Sequence, residues 1–187
     1  TMDPKDDYSN YYAPFNIHRE RENYFMTTDL ANLRLQAQLN YKFSPKLEAT
    51  LMGAINYQSG VYNTDATENS NLAQSYRAIN ETIRAYNDYL YKDPNNPFAI
   101  PEIIMPHGGM RTKQVTTFNG NNFRATLNYS DSFSDGLHLL SANAGFDMDN
   151  AKNTNDTNYN YGVLFNSGQL GAYSHMFLKY LQERSEG

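Results

Sequence analysis

From Ala31 to Phe43, within a stretch that runs from Asp29 to Tyr57, apolar and polar positions alternate with a strict period of two. Ala31, Leu33, Leu35, Ala37, Leu39, Tyr41 and Phe43 hold every second position, and Asn32, Arg34, Gln36, Gln38, Asn40 and Lys42 fall between them. Side chains alternate across a strand, so the two sets line opposite faces. The return run repeats the pattern, with Leu47, Ala49, Leu51, Gly53, Ile55 and Tyr57 on one side and mainly Glu48, Thr50, Asn56 and Gln58 on the other. Ser44-Pro45-Lys46 joins the two runs, because proline pre-sets a turn dihedral and cannot donate to a central ladder. At about 3.3 Å per residue the first run spans roughly 40 Å, against a usual strand of about 5–6 residues. Such a strand suits the wall of a transmembrane barrel, with lipid outside and water inside. A long hairpin in a soluble β-sandwich carries the same alternation.

A second hairpin follows later. Phe123, Ala125, Leu127 and Tyr129 alternate with Asn122, Arg124, Thr126 and Asn128; after a turn at Phe133-Ser134-Asp135-Gly136 the return places Leu140, Ala142, Ala144, Phe146 and Met148 opposite Ser141, Asn143 and Asp147. Leu39-Asn40-Tyr41 recurs as Leu127-Asn128-Tyr129, a short internal similarity of the kind that repeated hairpins produce.

The chain then divides into an ordered aromatic loop over 1–28, hairpin one over 29–58, a long loop over 59–117, hairpin two over 118–149 and a further loop over 150–187. In the first loop Tyr8, Tyr11, Tyr12 and Phe15 crowd around Pro14. In the long loop Leu72, Tyr76, Ile79, Ile83, Tyr86 and Leu90 recur at spacings of four and three, which predicts an amphipathic helix over about 69–91. Asn69, Ser70 and Asn71 offer its N-cap, and Asp93-Pro94 stops it. So long a connection far exceeds the usual hairpin loop of about 2–5 residues. The last segment holds a possible short helix over Ser174–Glu183.

Composition narrows the function classes. The net charge of −5, from 15 basic and 20 acidic residues, gives no electrostatic footprint for nucleic acid. Sixteen Tyr and ten Phe with no Trp suit membrane interfaces and sugar-binding surfaces alike. No apolar run approaches the roughly 20 residues of a transmembrane helix, so any membrane span is made of strands. The lack of Cys excludes disulfides and thiol chemistry. Thr1 is not an initiator and no leader follows it, which places the N-terminus within a longer gene product or after a processing site.

Catalytic chemistry is not visible. His18, His107, His138 and His175 stand alone, and Asp147, Asp149 and Asp156 lack the glycine and terminal glutamate of a loop-type calcium site. The expectation is a non-enzyme without catalytic residues, metal or cofactor. Tyr76 and Tyr86 fall on the helix stripe and are expected to pack, leaving Tyr89 and Tyr91 as candidates to contact a substrate or partner.

Several runs resemble the SusC/RagA family of TonB-dependent outer-membrane transporters of Bacteroidetes: YYAPFNI, TDLANLRLQAQLNYKFSPKLEATLMGAINYQSG, ATENSNLAQSYRA, HGGMRTKQVTTFNGNNFRATLNYSDSF and LHLLSANAGFDM, in that order. They cover roughly residues 10–150. The resemblance implies an internal segment of a large antiparallel transmembrane β-barrel, with long hairpins, short inner turns and a long helix-containing extracellular loop. In that family a barrel of about 22 strands is closed by a plug, works with a SusD-like surface lipoprotein and uses TonB to import oligosaccharides or peptides. The plug, the TonB-contacting segment and the remaining strands are not in this chain. The resemblance thus implies an outer-membrane location, with Arg34, Gln36, Gln38, Asn40, Arg124, Thr126 and Asn128 facing the lumen and the apolar faces meeting lipid.

Overall fold

Four very long strands dominate the structure, a computed structural model that describes residues 6–10, 12–133 and 137–185. In chain order the elements are β1 (Tyr8–Asn10), β2 (Ala13–Phe15), α1 (Ile17–Asn23), β3 (Tyr24–Ser44), β4 (Leu47–Ala66), α2 (Asn71–Ser75), α3 (Glu81–Arg84), β5 (Gly109–Phe133), β6 (His138–Leu164), β7 (Gln169–Leu170) and α4 (His175–Ser185). β1 and β2 form a small antiparallel hairpin, and β3-β4-β5-β6-β7 form one large antiparallel sheet in sequence order. The sheet is open, with β3 and β7 at its edges.

The chain falls into two units. The first comprises residues 29–61 and 115–156. It contains the middle of the long strands and the turn at Pro45-Lys46. Its sheet is a single layer: every residue of β3 from Asp29 onward is exposed, as is every residue of β6 from His138 to Asp156. Leu35 is 57%, Leu39 61% and Phe146 59% exposed, values that no packed soluble core would leave.

The second unit comprises residues 1–28, 62–114 and 157–187. It holds the hydrophobic core, built from Ala66, Ala73, Ile104, Met105, Met110, Phe177 and Tyr180. Phe177 is central, with edge contacts to Tyr161 and Tyr173 at 5.2 and 5.5 Å. Within this unit α4 supplies Phe177, Tyr180 and Leu181 at helical spacing, which seats one face of the helix on the core.

Four boundaries differ from the sequence reading. β6 runs on to Leu164, so residues 150–160 are strand and not loop. The ladder with β5 supports them, with Thr116 donating to Asn155 at 3.3 Å and Thr154 to the Thr117 carbonyl at 3.5 Å. Since both faces there are polar and exposed, no alternation marks the strand. β4 and β5 also run further, which shortens the long loop to 67–108. Residues 1–28 include β1, β2, α1 and the start of β3. Finally, the helix expected over 69–91 is broken into α2 and α3. Asn80 caps α3, and buried Asn87 donates to the carbonyls of Ser75 at 2.8 Å and Ala78 at 3.0 Å. Asparagine side chains that bond the backbone compete with a continuous helix. The C-terminal helix lies close to its expected position. Residues 134–136 of the second turn, and Tyr11, lie outside the described residues.

Candidate functional site

Several polar positions of the hairpins are hydrogen-bonded to neighbours on the sheet. Arg124 Nε and Nη2 both donate to Asp147 Oδ2, at 3.0 and 2.5 Å. Asn122 Nδ2 donates to Asp147 at 3.2 Å and Asp149 at 2.5 Å, and Asn143 donates to Asn128. Thr126 lies opposite Gly145, where an added Cβ would meet its methyl at 3.6 Å. On β3, Gln38 donates to Asn40 at 3.0 Å and Gln36 reaches Met52 Sδ at 3.5 Å on β4. Arg34 joins Asn56, Asn122 and Asp149 around a shallow cleft of about 270 Å³. All seven polar residues singled out from the sequence therefore lie on the sheet unit, and five of them contact a cross-strand or same-strand polar neighbour or thioether. These exposed pairs order the surface but contribute little stability each.

The apolar positions keep to their own contacts. Tyr41 and Phe43 meet edge-on at 4.8 Å, and Phe123 lies 6.5 Å from Phe146. At the hairpin turn Lys46 Nζ sits 2.6 Å from Asp131, which is 7% exposed and also accepts from Tyr129 at 3.0 Å. This bond holds the Lys46 proton above the ordinary lysine range.

The long loop and the strand ends at its base are built around buried polar side chains. Asn71 Nδ2 donates to the carbonyls of Ala13 at 2.8 Å and Pro14 at 3.2 Å. Arg77 Nη2 donates to the carbonyls of Pro106 at 2.8 Å and Gly108 at 2.6 Å, and its burial pushes the guanidinium down from the usual arginine value. Arg111 grips buried Asp65 with two parallel bonds of 2.6 and 2.7 Å and lies over the Phe165 ring at 5.3 Å. Such groups must be satisfied once buried, and together they fix the loop in one conformation.

Tyr89 and Tyr91 are placed differently from the sequence expectation. Tyr89, half-buried, stacks on Tyr76 at 4.4 Å and takes the edge of Tyr12 at 5.8 Å. Tyr91 packs against the core and pairs through its backbone with Glu102. Tyr86, expected to pack, is 75% exposed. The breaking of the helix is the cause, since the stripe read from the sequence is cut between α2 and α3.

Clefts lie in the unit of residues 1–28, 62–114 and 157–187. One, of about 520 Å³, is lined by Asp7, Tyr8 and Tyr12 on one side and Gln74, Asn80 and Ile83 on the other. A smaller one, of about 210 Å³, is walled by Tyr24, Tyr76, Tyr159 and Tyr161 with Arg111 and Asn160. Aromatic faces beside amides and hydroxyls can stack on a ring and bond its substituents. Sequence reading missed Asp65, Asn71, Asn87 and Asp131, since a lone Asn or Asp in a polar loop gives no sign that it will be buried. No group of His, Asp and Glu among the described residues is arranged to hold a metal. No family model and no curated protein matches the chain.

Proposed function

We propose that this chain is part of the wall and outer mouth of an outer-membrane nutrient importer of the SusC/RagA type. One observation carries the reading: a single-layer sheet with one polar face and one apolar face, whose apolar side chains no other part of the described protein covers. An apolar face of this size in water costs about 25 cal/mol for each Å² exposed, and lipid removes that cost. The aromatic Tyr41 and Phe43 beside the turn suit an interfacial girdle. The open edges along β3 and along β6, of which β7 covers only Val163 and Leu164, would pair with further strands, because unpaired backbone groups are not tolerated in a bilayer.

In this reading Arg34, Gln36, Gln38, Asn40, Arg124, Thr126 and Asn128 line the lumen. The ordered loop over 67–108 and its clefts help form the mouth for an oligosaccharide or peptide, beside a SusD-like lipoprotein. TonB acts through segments outside this chain, and these residues supply binding surface and wall, not catalysis. A soluble sandwich is the rival reading, and the exposed Leu33, Leu35 and Leu39 weigh against it.

Spin labels test the wall. In bilayers, labels at Leu35 and Leu127 are expected to be accessible to oxygen, and labels at Gln36 and Thr126 to an aqueous nickel complex. Equal accessibility on the two faces, or a chain that buries Leu35 in plain buffer, would overturn the proposal.

A further inference from the structure

The segment over residues 6–20 is fastened to the outer loop in an unusual way. Among its described side chains only Ala13 is buried, and α1 buries none. The β1–β2 hairpin has three residues per strand, too few to be stable alone. Its attachment is therefore polar. Asn71 donates to the Ala13 and Pro14 carbonyls, Glu20 accepts from the Asn71 N–H at 2.8 Å, and Tyr12 lies against Tyr89. The end of the segment is pinned separately, with Thr67 bonding both the carbonyl and the side chain of Asn23.

The loop beneath also has a bonded framework of its own. Ser70, Ala73, Ser75, Asn87 and Leu90 are fully or almost fully buried, and their bonds stay within the loop: Ser70 with Thr67 and Ala73, Ser75 with Asn71, and Asn87 with Ser75, Ala78 and Tyr89. The cleft of about 520 Å³ lies between the two, with Asp7, Tyr8 and Tyr12 from the segment and Gln74, Ala78 and Asn80 from the loop. A piece held by few polar contacts opens at lower free energy than a packed core.

We propose that the described residues 6–10 and 12–20 form a releasable strap, latched by Asn71 and hinged at Asn23, whose opening exposes the cleft wall without unfolding the loop. The strap then gates whatever enters that cleft. The inference rests on contacts within one unit and holds whether or not the sheet lies in a membrane.

Hydrogen exchange on the full chain, in the detergent or lipid where it folds, tests the latch. Asn71→Ala and, from the strap side, Glu20→Ala are each expected to speed exchange of residues 6–20 about tenfold, the usual effect of losing a buried hydrogen bond. Exchange in β3–β6 and in 84–91 stays unchanged. The chain has no cysteine, so a single Ala78→Cys reports the cleft, and maleimide should label it about tenfold faster with Asn71→Ala than without. Unchanged strap exchange in both variants would overturn the latch, as would protection lost across 84–91 and the strands together. Equal labelling of Cys in the two backgrounds would overturn the opening of the cleft.

Discussion

Asp65 is only 2% exposed, and Arg111 meets both of its oxygens. Removing the arginine alone strands a buried carboxylate, whereas removing both partners does not. Arg111→Leu should therefore destabilise by about 1–3 kcal/mol, less than a fully buried pair because the guanidinium side is part-exposed. The double variant with Asp65→Leu should recover part of that loss, as read from unfolding midpoints. Gly108 makes a different demand. Its φ of 108° is a glycine conformation, and a Cβ would lie 2.7 Å from the Val163 carbonyl oxygen. Gly108→Ala should cost about 2–4 kcal/mol, against about 1 for Gly168→Ala, where φ is also positive but the space is open. Lys46 adds a pH dependence. Its proton is held more tightly when folded, so its contribution is complete below the ordinary lysine value and is lost as pH rises through the raised one. Lys46→Met should lower stability at neutral pH, where the contribution is complete and Asp131 loses its partner, and should flatten the alkaline limb of a stability–pH profile. Of these residues, only the turn lysine drew notice as sequence; the partners that define their roles come from distant strands.

The strands behave as two-faced elements, and their faces respond oppositely to charge. Leu35→Arg or Leu127→Arg should cost about 2–4 kcal/mol if the position lies near the middle of a bilayer, while Gln36→Arg stays near zero. Folding yield into lipid vesicles against denaturant measures the difference, and equal costs on both faces would exclude the wall. Alternation made hairpin one and much of hairpin two readable, because each residue's face follows from its position alone. It failed over 150–160, where Asn, Thr and Asp on both faces leave nothing to alternate and the ladder with β5 holds the strand. The loop helix failed for another reason: a 3.6-residue stripe was present, but Asn80 and Asn87 spend their amides on backbone groups and break it.

For the molecule as a whole, the consequence of an uncovered apolar face is poor solubility. The chain should sediment from detergent-free buffer and remain dispersed in micelles; a stable monomer in plain buffer would contradict this. Exposed edges add a second tendency, since β3 offers a long row of unpaired backbone groups to another strand. By itself the sequence determined the long strands, the tight turn at Pro45 and the polar and apolar faces, because a period of two needs no knowledge of neighbours. Only the tertiary structure decided how far β4, β5 and β6 run, which tyrosines pack, and which asparagines and aspartates are buried. Those outcomes depend on partners far apart in sequence, such as Asp65 with Arg111 and Asn71 with Ala13, and local pattern carries no record of such a pairing.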